Sequence, residues 1–211
     1  MRVLELFCGT KSVGKAFEAI GAEVLSLDLN AKTAPTICAD ILTWDYHQFR
    51  PGHFDVVWAS PVCQHYSIAR TTGGPRDLVS ADALVLKTLE IIEYLQPKYW
   101  GLENPQTGLL KTRVFMQDIP FQDVCYCRYG FKYRKCTRIW GNIPFTARPL
   151  CTKRAPCESV VDGKHLEHAQ RFSAKARSPP SHHSQNELYA IPPALCQSLA
   201  EAARCDALGS V

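Results

Sequence analysis

The chain has no long apolar run. A membrane-spanning helix needs about 20 consecutive apolar residues, and none of its 211 residues begins such a stretch. The opening Met1-Arg-Val-Leu-Glu-Leu-Phe7 is short and broken by Glu5, so it does not read as a secretory signal. Without a signal for secretion, the ten cysteines are expected in a reducing compartment, cytoplasmic or, in a eukaryotic host, nuclear. There they would be free, catalytic or metal-bound thiols. Internal repeats are absent, as are a G-x-G-x-x-G fingerprint and the tight C-x2-C pair of many zinc sites. Charged residues make up 21% against 46% hydrophobic, which excludes a disordered chain. The length suits one domain with a modest appendage.

Charge is present but unevenly spread. Residues 125–177 carry twelve Lys and Arg against Glu158, Asp162 and Glu167, a balance of +9 that leaves −5 for the rest of a chain of net charge +4. Tyr126, Tyr129, Phe131, Tyr133 and Trp140 lie among those cations. Such a composition suits a phosphate backbone and stacked bases; a solvated basic loop would look the same.

Ahead of this segment, strands alternate with helices. Arg2–Phe7, Glu23–Asp28, Phe54–Ser60 and Lys98–Glu103 read as strands, with a short extended piece near Ile37. Ser12–Ile20 reads as a helix capped by Ser12 and ended by Gly21, and Ser80–Leu95 as one that starts at a Ser cap and stops before Pro97. Short β pieces follow at Val124–Tyr126 and Arg138–Trp140, and a final helix spans about Pro193 to Arg204. The alternation predicts an α/β fold, a mostly parallel sheet with helices on both faces.

In such sheets ligands lie beyond the carboxyl ends of the strands. The first strand leads into Phe7-Cys-Gly-Thr-Lys-Ser-Val-Gly14, where Gly9 allows a tight turn and close approach to a ligand. Asp28 ends the next strand, where an acid can take a ribose diol, and Asp40-Ile41 brings a second acid. A generic strand–turn–helix would share these features. Two more strands end in chemistry-bearing residues: Ser60-Pro-Val-Cys-Gln-His-Tyr-Ser67 puts Cys63 at one carboxyl end, and Glu103-Asn-Pro105 stands at another. Arg138 lies on a later strand, in Thr137-Arg-Ile-Trp140.

Taken together these pieces resemble the DNA cytosine carbon-5 methyltransferase family. LELFCGTKSVGKAF is similar to its first cofactor motif, and Asp28 and Asp40-Ile41 to the next two. SPVCQHYS resembles the nucleophile motif Pro-Pro-Cys-Gln, GLENP the Glu-Asn-Val motif, KCTRIW the Arg-x-Arg motif, and YAIPPAL the C-terminal Asn-Ala-Val-Pro motif. The matches keep the family's order over residues 2–195. The sequence departs from the pattern at Lys11 in the glycine turn, at Val62 in place of a proline and at Tyr189 in place of an asparagine. Cys136 stands at the first Arg of Arg-x-Arg, so Arg138 is expected to work with Arg134.

The resemblance implies a Rossmann-like methyltransferase core over residues 1–140, a small basic target-recognition insert over 141–188, and a C-terminal helix over 189–211 that returns to the core. It implies S-adenosylmethionine held by Phe7, Cys8, Gly9, Asp28, Asp40, Ile41, Ser60 and Pro61. It implies a monomer that binds DNA through Gln64, Arg134, Lys135, Lys153, Arg154 and Lys164. It further implies chemistry by Cys63, Glu103 and Arg138. Carbon 5 of cytosine is a weak nucleophile until a thiolate adds at carbon 6. Cys63 would supply the thiolate, which needs a positive neighbour or backbone amides to form near neutral pH. Glu103 would offer a proton to ring nitrogen 3 as the ring takes up electrons, and Arg138 would hold the base carbonyl and orient Glu103. The target base must leave the duplex stack to be reached. The same chemistry on RNA, or a non-catalytic nucleic-acid-binding protein on this scaffold, remain the alternatives.

Within the insert, Cys151, Cys157 and His165 form C-x5-C-x7-H, with Cys125, Cys127, Cys136 and His168 as candidate fourth ligands. A small, poorly apolar insert gains from a structural zinc. His182-His183 sits in what reads as a flexible loop.

Overall fold

In the computed structural model, residues 1–68, 74–169 and 183–208 are described. Seven strands, β1 (Arg2–Leu6), β2 (Glu23–Asp28), β3 (Ile37–Cys38), β4 (Val56–Ala59), β5 (Tyr99–Pro105), β6 (Phe121–Cys125) and β7 (Cys136–Gly141), form one sheet in the order β3-β2-β1-β4-β5-β7-β6. The first five are parallel; β7 runs antiparallel to both its neighbours. The central strands β1 and β4 are near-continuous apolar runs, as strands covered on both faces must be. Glu5 is the exception, an acid 3% exposed in the middle of β1.

Three long helices cover the sheet. On one face lie α1 (Ser12–Ala19) and α4 (Pro193–Leu208), whose Val13, Phe17, Leu195, Leu199 and Ala203 meet Val3, Val56 and Trp58. The spacing of three and four residues gives each helix one apolar stripe. On the other face α2 (Leu78–Leu95) presents Ala81, Val85, Ile92 and Leu95 to Leu4, Val57 and Leu102. Truncating a buried aromatic such as Phe17 to Ala would cost about 3–5 kcal/mol.

The helix starts differ from those expected. Helix α2 begins two residues before Ser80 and is capped by Asp77, whose carboxylate accepts the Ser80 N–H at 3.0 Å. Ser12 does not cap α1; Lys11, in a left-handed conformation, precedes it, and Ser12 Oγ instead accepts the Ile191 N–H at 3.2 Å. That bond ties the first helix to the segment entering α4. Helix α4 also runs past Arg204 to Leu208.

Beyond β7 regular structure is sparse: a hairpin of β8 (Val160–Val161) and β9 (Lys164–His165), then the five-residue α3 (Gln185–Tyr189). Cys125 and Cys136 are directly opposite across the β6–β7 pair and are joined as a disulfide. Two cysteines were therefore not thiols as expected, because the register places their Cα atoms 4.2 Å apart. Among the described residues, no helix is long and apolar enough to cross a membrane. Arg171, Lys175, Arg177 and His182, part of the basic segment and loop read from the sequence, lie outside the described residues.

Candidate active site

The strand order reverses between β1 and β4, and a cavity of about 290 Å³ opens at the carboxyl ends of these strands. This is where an open α/β sheet binds ligands, and the volume lies at the lower end of small-molecule sites, which run from roughly 300 Å³. Phe7, Cys8, Gly9, Asp28, Asp40, Ile41, Ser60 and Pro61 all line it, together with Cys63, Gln64 and Glu103.

The β1 end is shaped by backbone. Phe7 and Gly9 both adopt positive φ, 55° and 46°. For a bulky residue such as Phe7 this costs on the order of 1–3 kcal/mol. The turn it makes brings the Gly9 N–H to Asp28 Oδ2 at 2.9 Å, while Asp28 Oδ1 accepts the Asn30 N–H at 2.8 Å. Asp40 Oδ1 likewise accepts the Leu42 N–H at 3.0 Å. Lys11 reaches away to the Ala34 carbonyl and does not line the cavity.

Glu5 also lines the cavity, a residue the sequence reading used only to break an apolar run. Burial pushes its carboxyl up to about 7, against the pull of the Gly14 and Val13 amides at the start of α1. One of its oxygens has no hydrogen-bond partner among the described residues. A Cβ at position 14 would overlap that carboxylate, which is why the helix carries Gly14 there. The only cue in the sequence was an acid inside an otherwise apolar strand.

The Cys63 loop is anchored on both sides. Tyr66, fully buried, donates to Asp82 on α2 at 2.7 Å, and Asp82 also pairs with Arg113. The Tyr66 and Ser67 N–H groups close onto the Cys63 carbonyl at 3.0 and 2.8 Å. Asn104, fully buried, donates to the Pro61 carbonyl at 3.0 Å, locking the end of β5 to the loop. Burial raises the Cys63 thiol above its ordinary range and the Glu103 carboxylate adds to this, while Lys135 opposes both.

Glu103 is 9% exposed. Its Oε1 accepts from the Tyr126 hydroxyl and from the Thr137 hydroxyl, both at 3.0 Å. Among the described residues its Oε2 takes no hydrogen bond.

Arg138 is not there. Strand β7 pairs Ile139 with Glu103 and Arg138 with Asn104. Side chains alternate along a strand, so Thr137 and Ile139 share the Glu103 face and Arg138 takes the other. Its guanidinium binds Asp123 at 2.7 and 2.9 Å and lies over the Phe121 ring, 3.5 Å from its centre. The Glu103 side chain is held instead by Thr137 and Tyr126, and the cation lining the cavity is Lys135. Lys135 also sits over the Tyr126 ring and donates to the Leu188 carbonyl at 2.9 Å. Arg134, Lys153, Arg154 and Lys164 are all exposed and outside the cavity.

A third gathering involves the expected metal ligands. Cys151, Cys157 and His165 do come together, and Cys127 joins them as the fourth member; no other candidate does. None of the four lines the cavity.

A family model described as C-5 cytosine-specific DNA methylase matches residues 1–115. The probable DNA (cytosine-5)-methyltransferase of Frog virus 3 (isolate Goorha) is 35% identical over 179 residues, 76% of this chain and 79% of that relative. Type II methyltransferase M.AplI of Arthrospira platensis is 30% identical over 123 residues, 56% of this chain and 35% of its own length. Among solved structures, the Entamoeba histolytica methyltransferase EhMeth matches with a TM-score of 0.52 at 17% identity, over 71% of this chain and 56% of that one. The chain thus spans about half the length of that solved structure.

Proposed function

The chain belongs to the C-5 cytosine-specific DNA methylase family, and from that membership we propose that it transfers a methyl group from S-adenosylmethionine to carbon 5 of cytosine in DNA. The observation that carries the reading is the cavity itself, where Cys63 and Glu103 stand with every residue expected to hold the methyl donor.

The residues suit that donor. Asp28 and Asp40 offer acceptors for hydroxyl and amino groups, Phe7, Leu29, Ile41 and Val62 offer apolar walls, and Glu5 adds a carboxyl to the lining of the same cavity. When bound, S-adenosylmethionine supplies an electrophilic methyl group on a sulfonium. All else falls to the protein and the base.

In this reading the target cytosine leaves the duplex and enters the cavity. The Cys63 thiolate adds at carbon 6, a carbon–sulfur bond forms, and the ring electrons move to nitrogen 3. Glu103 gives its proton to nitrogen 3 and holds it there. Carbon 5, now enamine-like, takes the methyl group. A base then removes the carbon-5 proton, the carbon–sulfur bond breaks, Cys63 leaves as thiolate, and nitrogen 3 returns its proton to Glu103. Electrostatics favour this order. Burial disfavours a Cys63 thiolate and the Glu103 carboxylate adds to this, so a proton shared between Glu103 and the base removes the second effect and leaves Lys135 opposed by burial alone. Tyr126 and Thr137 fix Oε1, which leaves Oε2 for the base.

Bisulfite sequencing of DNA from cells expressing the chain tests the reaction. Cytosines protected from conversion should appear at defined sequence positions, and be absent with Cys63→Ser. Methyl incorporation into RNA with none into duplex DNA would redirect the reading to an RNA substrate.

A further inference from the structure

From the cysteine cluster beyond β7 we infer a structural zinc site, built by Cys127, Cys151, Cys157 and His165, that braces the basic segment against the core. The four come from three places: Cys127 from the 3-10 turn Tyr126–Tyr129 after β6, Cys151 and Cys157 from the coil after β7, and His165 from β9. One ligand atom from each lies within 4.8 Å of all the others.

Two sulfur-to-nitrogen distances match the edges of a zinc tetrahedron. A tetrahedral zinc with Zn–S near 2.3 Å and Zn–N near 2.0–2.1 Å has sulfur-to-nitrogen edges of about 3.5–3.6 Å. The His165 Nε2 stands 3.6 Å from Cys151 Sγ and 3.5 Å from Cys157 Sγ. Three thiolates and an imidazole are soft donors that select zinc over magnesium or calcium. Four protein ligands complete the coordination shell, so no position is open for a reacting group and the site is structural.

Packing explains why a brace is needed. From residue 146 to 169 the only buried side chains are Cys151 and Cys157, and the only regular structure is the two-residue hairpin. A segment with that little apolar burial does not hold a conformation by hydrophobic packing alone. Some of its other ties run to the same turn, where Arg128 donates to the Leu150 and Ala155 carbonyls and the Arg148 N–H to the Tyr129 hydroxyl; others reach Gln122, Phe131 and Lys132. Cys127 also follows Tyr126, which holds Glu103. The brace therefore ends one residue from the acid's support, while standing outside the cavity.

The competing account treats the cluster as reduced thiols packed as small apolar groups. Full-length protein, purified without chelator and without a metal-affinity step, should carry about one zinc per chain by elemental mass spectrometry. Cys157→Ser should lose that metal, while Cys205→Ser, at an exposed cysteine away from the cluster, should retain it. Should Cys157→Ser fail to fold, cobalt(II) exchanged into the parent protein serves instead: it should show the intense visible bands of a tetrahedral thiolate site. The inference is overturned if the parent carries no zinc and cobalt gives only the weak bands of an octahedral aquo ion. Full metal retention by a folded Cys157→Ser would also overturn it.

Discussion

At the carboxyl edge of the sheet, Asp28, Cys63 and Glu103 are each placed by the strand that precedes them and held by hydrogen-bonded partners: the Gly9 amide, Tyr66 and Asn104, and Tyr126 with Thr137. From residue 146 to 169 the only strand ladder is the short β8–β9 pair and the only buried side chains are Cys151 and Cys157, and the segment converges on three sulfurs and an imidazole. The first region is ordered by backbone pairing that extends through the whole domain. In the second, a few side chains must supply what packing does not. In the proposed function the chemistry sits in the first region, and the exposed Lys153, Arg154 and Lys164 of the second are the cations offered to nucleic acid.

That division can be broken at several points. Glu103→Gln should give the largest loss short of removing the nucleophile. General acid–base contributions run to roughly 10²–10⁴-fold, and a fall in kcat of that order is expected with cofactor affinity within about threefold of the parent. Calorimetric titration of the cofactor beside single-turnover methylation separates the two. An equal loss of affinity would mean that Glu103 supports the cavity rather than the reaction.

Next in size is the pH dependence of the cofactor-free protein. Glu5 rises from an ordinary 4.5 to about 7 on folding. The folded state therefore holds this proton more tightly than the unfolded state. Stability from this group is full below about 4.5 and falls as pH rises toward 7, by up to ~3 kcal/mol. Urea unfolding at pH 5 and pH 7.5 should show a larger loss for the parent than for Glu5→Gln. Equal losses would place Glu5 in an ordinary solvated setting. A cationic ligand should shrink the parent's loss, since it favours the carboxylate.

The smallest effect expected concerns Lys135. Its charge works against the burial of the Cys63 thiol, so Lys135→Met should move the alkylation profile of Cys63 to higher pH. Peptide mapping of iodoacetamide-treated protein reads that one thiol among the others. An unmoved profile would assign Lys135 to DNA phosphates alone.

Legibility in the sequence followed the same division. Strand ends were readable because apolar runs and turn residues are local signals, so the residues after β1, β2, β3, β4 and β5 that line the cavity, Cys63 and Glu103 among them, could be picked out from local sequence. The face of β7 was not readable. Alternation alone groups Lys135, Thr137 and Ile139 on one side and Cys136 and Arg138 on the other. Which side meets Glu103 depends on a register between strands some thirty residues apart. The motif drew attention to the arginine; the pairing put the threonine and the lysine at the site. Register also separated Cys125 and Cys136 from the metal ligands and left Cys127, on the turn beyond the strand, as the fourth. Glu5 escaped notice because an acid's burial depends on the helix laid over it.

The central claim is that Cys63 forms a bond to carbon 6 of cytosine, and DNA with cytosine replaced by 5-fluorocytosine tests it most directly. Fluorine at carbon 5 blocks the final elimination, so the adduct cannot resolve. With S-adenosylmethionine present, a protein–DNA complex should survive denaturing electrophoresis, map to Cys63 by peptide sequencing, and be absent from Cys63→Ser, because a serine hydroxyl has no comparable anion population near neutral pH. The account is contradicted if a preparation that methylates ordinary DNA forms no such complex, or if Cys63→Ser methylates at close to the parent rate.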